Sequence, residues 1–153
     1  MVSLRQTIKI YRLYLLYSLL ALMALVVVLA LVLKKEFYQV SVGSCDFEAE
    51  VVTTAKAHYL GLSGRKSLDV DKGMLFLFDN KADHTFVMRD MNFPLDIIFI
   101  SDNRVVNLYQ DLPPEDTVTK MSYHSGAPVN AVLEVPAGSS RACGIGVGSQ
   151  VKW

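Results

Sequence analysis

From Leu13 to Leu33 the chain runs 21 residues without a charged side chain. At about 1.5 Å per residue, a helix of that length is about 30 Å long, the thickness of a bilayer's hydrocarbon core. The run commits one segment to lipid and leaves the remainder to fold separately. A single transmembrane helix over residues 13–33 is predicted, with the bilayer as its partner. A cleaved signal peptide is the weaker alternative, because the run is long and no small-x-small site follows it. Arg5, Lys9 and Arg12 precede the run with no acidic counterpart, whereas Lys34, Lys35 and Glu36 follow it. That bias favours a cytoplasmic N-terminus in a cytoplasmic (inner) membrane, with the rest of the chain periplasmic or extracellular. Tyr11, Tyr14 and Tyr17 at one end, and Phe37 and Tyr38 at the other, fit interfacial belts.

The chain thus divides into a short basic segment (1–12), the helix (13–33), a linker (34–37) and a domain (38–153). Beyond Leu33 lie twelve of the fifteen Lys/Arg and all fifteen Asp/Glu. This slightly acidic balance, without a basic patch, argues against a nucleic-acid partner. The domain, roughly 120 residues, is long enough for a core of its own.

Its pattern is that of many short strands. Tyr38 to Val42 and Cys45 to Val52 alternate on either side of Gly43-Ser44, a hairpin signature. The alternation puts Cys45, Phe47, Ala49 and Val51 inward and Asp46, Glu48 and Glu50 outward. Thr53-Thr54 is placed to cap a helix over Ala55 to Leu62, ended by Gly61 or Gly64. Gly73 to Phe78, Thr85 to Met88, Arg104 to Tyr109 and Ala131 to Val135 read as strands. Asp111 to Asp116, with Pro113-Pro114, reads as a rigid loop. A helical turn is expected around Ser139 to Cys143, and a glycine-spaced strand over Gly144 to Trp153. The expected fold class is all-β with one or two short helices, as a compact antiparallel sandwich or partly closed barrel.

The strand Leu95 to Ile100 is apolar on both faces except at Asp96. Pro94 sits just before it, where no ladder N–H is needed. Asp96 is therefore a carboxyl group entering a core, and it needs partners there.

The domain resembles the DUF192 family of uncharacterised β-rich domains from Val40 to Val151. The resemblance is carried by Gly61-Leu62 with Arg65, by Gly73-Met74-Leu75-Phe76 with Phe78, and by Met88-Arg89 through Phe93-Pro94-Leu95-Asp96-Ile97-Ile98-Phe99-Ile100. Val105-Val106, Val132-Leu133-Glu134, Ala137-Gly138 and Gly144-Ile145 with Gly148 complete it. Val87 stands where the family often has Trp, Asp90 where it often has Asn, and Ser63 where Met is frequent. The resemblance implies a fold and a polar cluster, a pocket remodelled in this member if the family has one near that Trp, and no reaction.

Arg65, Arg89, Asp96 and Glu134, each beside or within a segment expected to be buried, form the one constellation worth naming. They make either an Arg fork that holds a carboxylate or sugar-like ligand, or a structural acid satisfied by an Arg or by N–H groups of the preceding turn. Tyr123 is a further pocket candidate. His58, His84 and His124 lack ligand spacing, and Asp69 to Gly73 departs from a calcium loop, so no metal is expected. Ser122 beside His124 carries no nucleophile signature, and no cofactor fingerprint is present. Cys45 and Cys143 are compatible with a disulfide if the domain is extracytoplasmic, or else are two buried thiols.

These residues point to a membrane-anchored, extracytoplasmic module that binds a small polar ligand or a membrane-protein partner, or serves as an accessory subunit. The rival is a carbohydrate or peptide hydrolase with Asp96 and Glu134 as acid and base. That rival requires both carboxyls in one cleft, about 5–9 Å apart.

Overall fold

A computed structural model of the chain describes residues 4–32, 35–115 and 121–153. Leu33, Lys34 and Asp116, where the sequence places the end of the apolar span, the start of the linker and the end of the proline loop, lie outside the described residues. The chain separates into two units at Lys35/Glu36. In the first, α1 (Leu4–Val32) is longer at its N-terminal end than the uncharged run. Leu, Ala and Met carry a helix readily, and no Gly or Pro interrupts this one. Its segment Tyr11–Leu29 has a mean hydropathy of 2.3 and is long and apolar enough to cross a membrane, a test that a signal sequence also passes.

The second unit contains β1 (Glu36–Val42), β2 (Cys45–Val52), α2 (Ala55–Leu60), β3 (Lys72–Ala82), β4 (Thr85–Val87) and β5 (Leu95–Ser101). It continues with β6 (Arg104–Leu112), β7 (Ser122–His124), β8 (Val129–Pro136), α3 (Ser139–Ala142) and β9 (Val151–Lys152). Seven strands form one sheet in the order β6-β5-β8-β3-β2-β1-β9, and β4 pairs with β7 as a separate ribbon. A bridge between Arg104 and Gln150 brings the two sheet edges together. Val105 N–H donates to Ser149 O (3.0 Å) and Val151 N–H to Asn103 O (2.9 Å) across the same seam. The sheet is therefore curled into a partly closed barrel.

Several local expectations change. β2 and β3 run parallel, so the sheet is mixed rather than wholly antiparallel. The connection between them carries α2, and only a crossover of that kind lets neighbouring strands point the same way. The expected final strand shrinks to Val151–Lys152, because Gly144 and Gly148 adopt positive φ (64° and 91°) and turn the chain. The expected proline loop begins later, since Asp111 and Leu112 still belong to β6.

Two apolar layers follow from strands buried on both faces. All seven sheet strands contribute to the inner layer, with Val40, Phe47, Leu75, Ile98, Val105, Leu133 and Val151 among its members. The outer layer holds Met74, Phe76, Ile97, Phe99 and Val132, covered by Leu62, Met88 and the β4–β7 ribbon. Glu50 belongs with the outer layer and is buried, contrary to its expected outward exposure. The two-residue period holds, but β2 has a covered outer face at this end, where Val52 is also buried.

One end of the barrel is stoppered by α3. Cys143, just after it, forms a disulfide with Cys45 at the start of β2, with Cα atoms 5.5 Å apart. Ser44 N–H donates to the Cys143 carbonyl (2.9 Å). At Gly43 the turn has φ +62°, and a Cβ there would stand 2.2 Å from that same carbonyl oxygen, so only glycine fits.

Candidate functional site

The two carboxyls expected to work together lie on opposite faces of the sheet. Ile97 pairs with Glu134 across β5 and β8, while Asp96 pairs with Val135. Cross-strand partners share a face and successive residues alternate, so Glu134 sits on the outer face and Asp96 on the inner one. An acid–base pair in a single cleft is therefore ruled out for these residues.

Asp96 is completely buried. Its Oδ1 accepts from the N–H of Asp111 (2.8 Å) and Gly138 (3.1 Å), and its Oδ2 from the N–H of Ser140 (2.8 Å). The donors come from β6, from the N-cap of α3 and from α3 itself, not from the turn before β5 and not from an arginine. Asp96 thus fastens the barrel's stopper.

The outer face carries a cavity of about 300 Å³. α2 and its C-cap supply His58, Tyr59 and Gly61; β3 supplies Phe76 and Phe78; the segment around β4 supplies His84, Phe86 and Val87. Ser63 and Arg89 stand in the wall, and Glu134 reaches it from β8. The wall forms because α2 is held in place: the Thr54 hydroxyl accepts from Ala57 N–H (3.2 Å) and Gly61 ends the helix. The loop after α2 is laced to the one after β4. Ser63 Oγ donates to Arg89 O (2.9 Å), Gly64 N–H to Asp90 O (2.8 Å) and Asn92 Nδ2 to Arg65 O (2.8 Å). Ser63 and Val87 also line this cavity.

The expected Arg fork does not form. Arg65 donates to Glu50 Oε2 at 2.7 Å. Arg89 donates to the Tyr59 carbonyl at 2.5 Å and lays its guanidinium over the Tyr59 ring, 4.1 Å from its centroid. Tyr123 is buried against Tyr109 (5.2 Å between centroids) in the layer behind the ribbon and is absent from the cavity lining. Burial, and then the charge of Glu115, push its phenol pKa up. His124 Nδ1 lies 3.0 Å from Thr85 Oγ1. Among the described residues no cluster of His, Cys, Asp and Glu is built to hold a metal ion.

Glu134 is only 5% exposed, and no hydrogen bond reaches its carboxyl among the described residues. Burial pushes its pKa up to about 8, against a smaller opposing pull from the Arg65 charge. The unfolded chain releases this proton near pH 4.5 and the folded chain near 8. Between those values the folded state holds the extra proton, so stability falls as pH rises through the window, by up to about 1.4 kcal/mol per unit. Glu134→Gln is expected to remove this slope and to be the more stable protein at pH 8. Urea denaturation of both proteins at pH 5 and pH 8 measures it; parallel pH profiles would count against a buried neutral acid.

Sequence reasoning missed Glu50, His58, Phe78, His84 and Phe86. The available signal was Val52, two residues after Glu50 and apolar, which marks their shared face as covered.

A curled, seven-stranded β-domain with a carboxyl group in an aromatic cavity defines a class with no chemistry attached to it. Residues 38–153 match the DUF192 family, described as "Uncharacterized ACR", and the chain belongs to that family. Among solved structures, a protein of unknown function from Novosphingobium aromaticivorans is 33% identical, covering 76% of this chain and 85% of that one, with a TM-score of 0.72. A Sinorhizobium meliloti protein named as a "putative transcription regulator" is 24% identical, covering 78% and 95%, with a TM-score of 0.73, a likeness of fold alone. No curated protein matches the chain.

Proposed function

We propose that this protein is a small-ligand-binding module carried by a single membrane anchor. The observation that carries the reading is Glu134, a buried carboxyl without a hydrogen bond among the described residues, placed in the wall of a cavity. Buried polar groups ordinarily have partners, and one left open toward a cavity is suited to a ligand that provides them. The arginines and the backbone lacing hold the walls, so the site is largely preformed.

The anchor is α1, inserted with Arg5, Lys9 and Arg12 in the cytoplasm and the domain outside. The basic flank supports that orientation, and the Cys45–Cys143 bridge suits an oxidising compartment. Protease treatment tests it: the domain is cut in spheroplasts and protected in inverted vesicles, and the reverse pattern would place it in the cytoplasm.

The binding reading is tested by filling the cavity. Val87 lines it and is only half-buried, so a Trp there is expected to be accommodated with its ring occupying the cavity and the domain still folded. Small ring compounds are expected to raise the melting temperature of the full chain in nanodiscs and to leave that of Val87→Trp unchanged. Equal shifts in both proteins would place binding elsewhere.

A further inference from the structure

We infer that the cavity takes an uncharged, flat, ring-bearing ligand that offers adjacent hydrogen-bond donor and acceptor groups, as a lactam or cyclic amide does, to the carboxyl of Glu134. The inference rests on the reading of the cavity as a ligand site and adds the chemistry of its occupant.

Shape comes first. Six ring side chains line the cavity: His58, Tyr59, Phe76, Phe78, His84 and Phe86. Phe78 and His84 are stacked with centroids 3.6 Å apart, His58 leans on Phe78 at 4.7 Å, and Phe76 meets Phe86 edge-on at 4.9 Å. Walls of this kind favour a flat guest in offset-stacked or edge-to-face contact. A dry cavity of about 150 Å³ accommodates a benzene, so about 300 Å³ has room for a fused two-ring body.

Charge comes next. The titratable groups around Glu134 and the cavity are His58 and Tyr59 on α2, Arg65 in the loop after it, Glu50 on β2, His84 before β4, and Arg89 with Asp90 after β4. Arg65 is paired with Glu50 at 2.7 Å. Arg89 has Asp90 at 3.7 Å, besides the carbonyl and ring of Tyr59. Burial lowers the pKa of His84 and so favours its neutral imidazole. Both arginines are thus paired before any ligand enters, and burial favours the uncharged form of Glu134. A charged guest would be desolvated without a counter-charge, which is strongly unfavourable.

The remaining polar groups are those a neutral guest satisfies. A protonated carboxyl presents an O–H donor beside a C=O acceptor, the complement of an amide edge. His84 Nε2 is also buried without a hydrogen-bond partner among the described residues. It offers a second polar contact, as donor or acceptor according to its tautomer.

Three two-ring probes separate the alternatives by calorimetry and by NMR of the cavity side chains, with the full chain in nanodiscs at pH 6.5 and 9.5. 2-Quinolinone is the neutral lactam, 2-naphthoate the anion and 2-naphthylmethylammonium the cation. The lactam is expected to bind tightest at pH 6.5 and to weaken about tenfold or more at pH 9.5, as Glu134 loses its proton. Glu134→Gln, an amide with its own donor and acceptor, is expected to bind the lactam without that pH dependence, and Glu134→Leu to lose it. A cation or anion that binds tighter than the lactam overturns the ligand class and leaves the binding-module reading standing. Lactam binding unchanged in Glu134→Leu also overturns it. If none of the probes binds or perturbs the cavity, both readings fall.

Discussion

Replacing Asp96 with Ala is expected to lower the stability of the domain by about 3 kcal/mol or more, because it strands three backbone donors, one buried and two part-buried, and a fully buried one costs about 1–3 kcal/mol. The N–H groups of Asp111, Gly138 and Ser140 all end on this one side chain. The first belongs to β6, the second caps α3 and the third lies within it, so the loss loosens the stopper from two strands at once. Asp96→Asn retains one acceptor oxygen, but its NH₂ then opposes a donor. An effect of about 1.5–3 kcal/mol is expected there, the range for hydrogen bonds to a charged group. Chemical denaturation of the full chain in detergent measures both. Binding in the cavity should be unaffected by Asp96→Asn below the unfolding midpoint, since Asp96 faces the inner layer. An Asp96→Asn protein that melts like the wild type but no longer binds any probe would reverse the assignment, making Asp96 functional and Glu134 the structural acid.

Breaking the Cys45–Cys143 bridge is expected to have a comparable effect. The two residues are 98 positions apart. Closing a loop of about 100 residues restricts the unfolded chain by about 4.7 kcal/mol in the chain-entropy model. The double variant Cys45→Ser/Cys143→Ser, and the reduced wild type, should both show a lower denaturant midpoint with a steeper slope, because the unfolded chain is then less compact. The reduced protein is also expected to expose the α3 end first, because Cys143 and Ser44 meet there. Hydrogen exchange at residues 138–145 is the measurement. A midpoint unmoved by reductant, with both thiols titrating as free, would show that Asp96 alone holds the stopper.

The strands were legible because their signals are local. The hairpin at Gly43-Ser44, the cap at Thr54 and the doubly apolar runs in β3 and β5 are each written within a few residues. The burial of Asp96 was legible for the same reason, since Ile98 and Ile100 share its face. Its partners were not, because Asp111, Gly138 and Ser140 become neighbours only through the topology. The pairing of Asp96 with Glu134 as acid and base failed on register. Ile97 opposite Glu134 puts them on different faces, and no pattern within either strand reveals which residues will be opposite. The cavity was legible only in fragments. Arg89 and Glu134 were singled out, yet Arg65 turned to Glu50, which alternation alone had sent outward. The ring side chains that wall it come from α2, β3 and the segment around β4, three separate stretches that only the packed fold assembles.

The seam of the barrel also fixes an order of assembly. β1, the first strand of the sheet along the chain, takes β9, the last, as its neighbour, and Val151 lies against Val42. A nascent chain produces β1 long before β9 exists, so the outer edge of β1 stays unpaired throughout synthesis of everything between them. Sheet closure must wait for a contact of very large sequence separation, the kind that folds slowly. Throughout that interval the open edge is available to other chains.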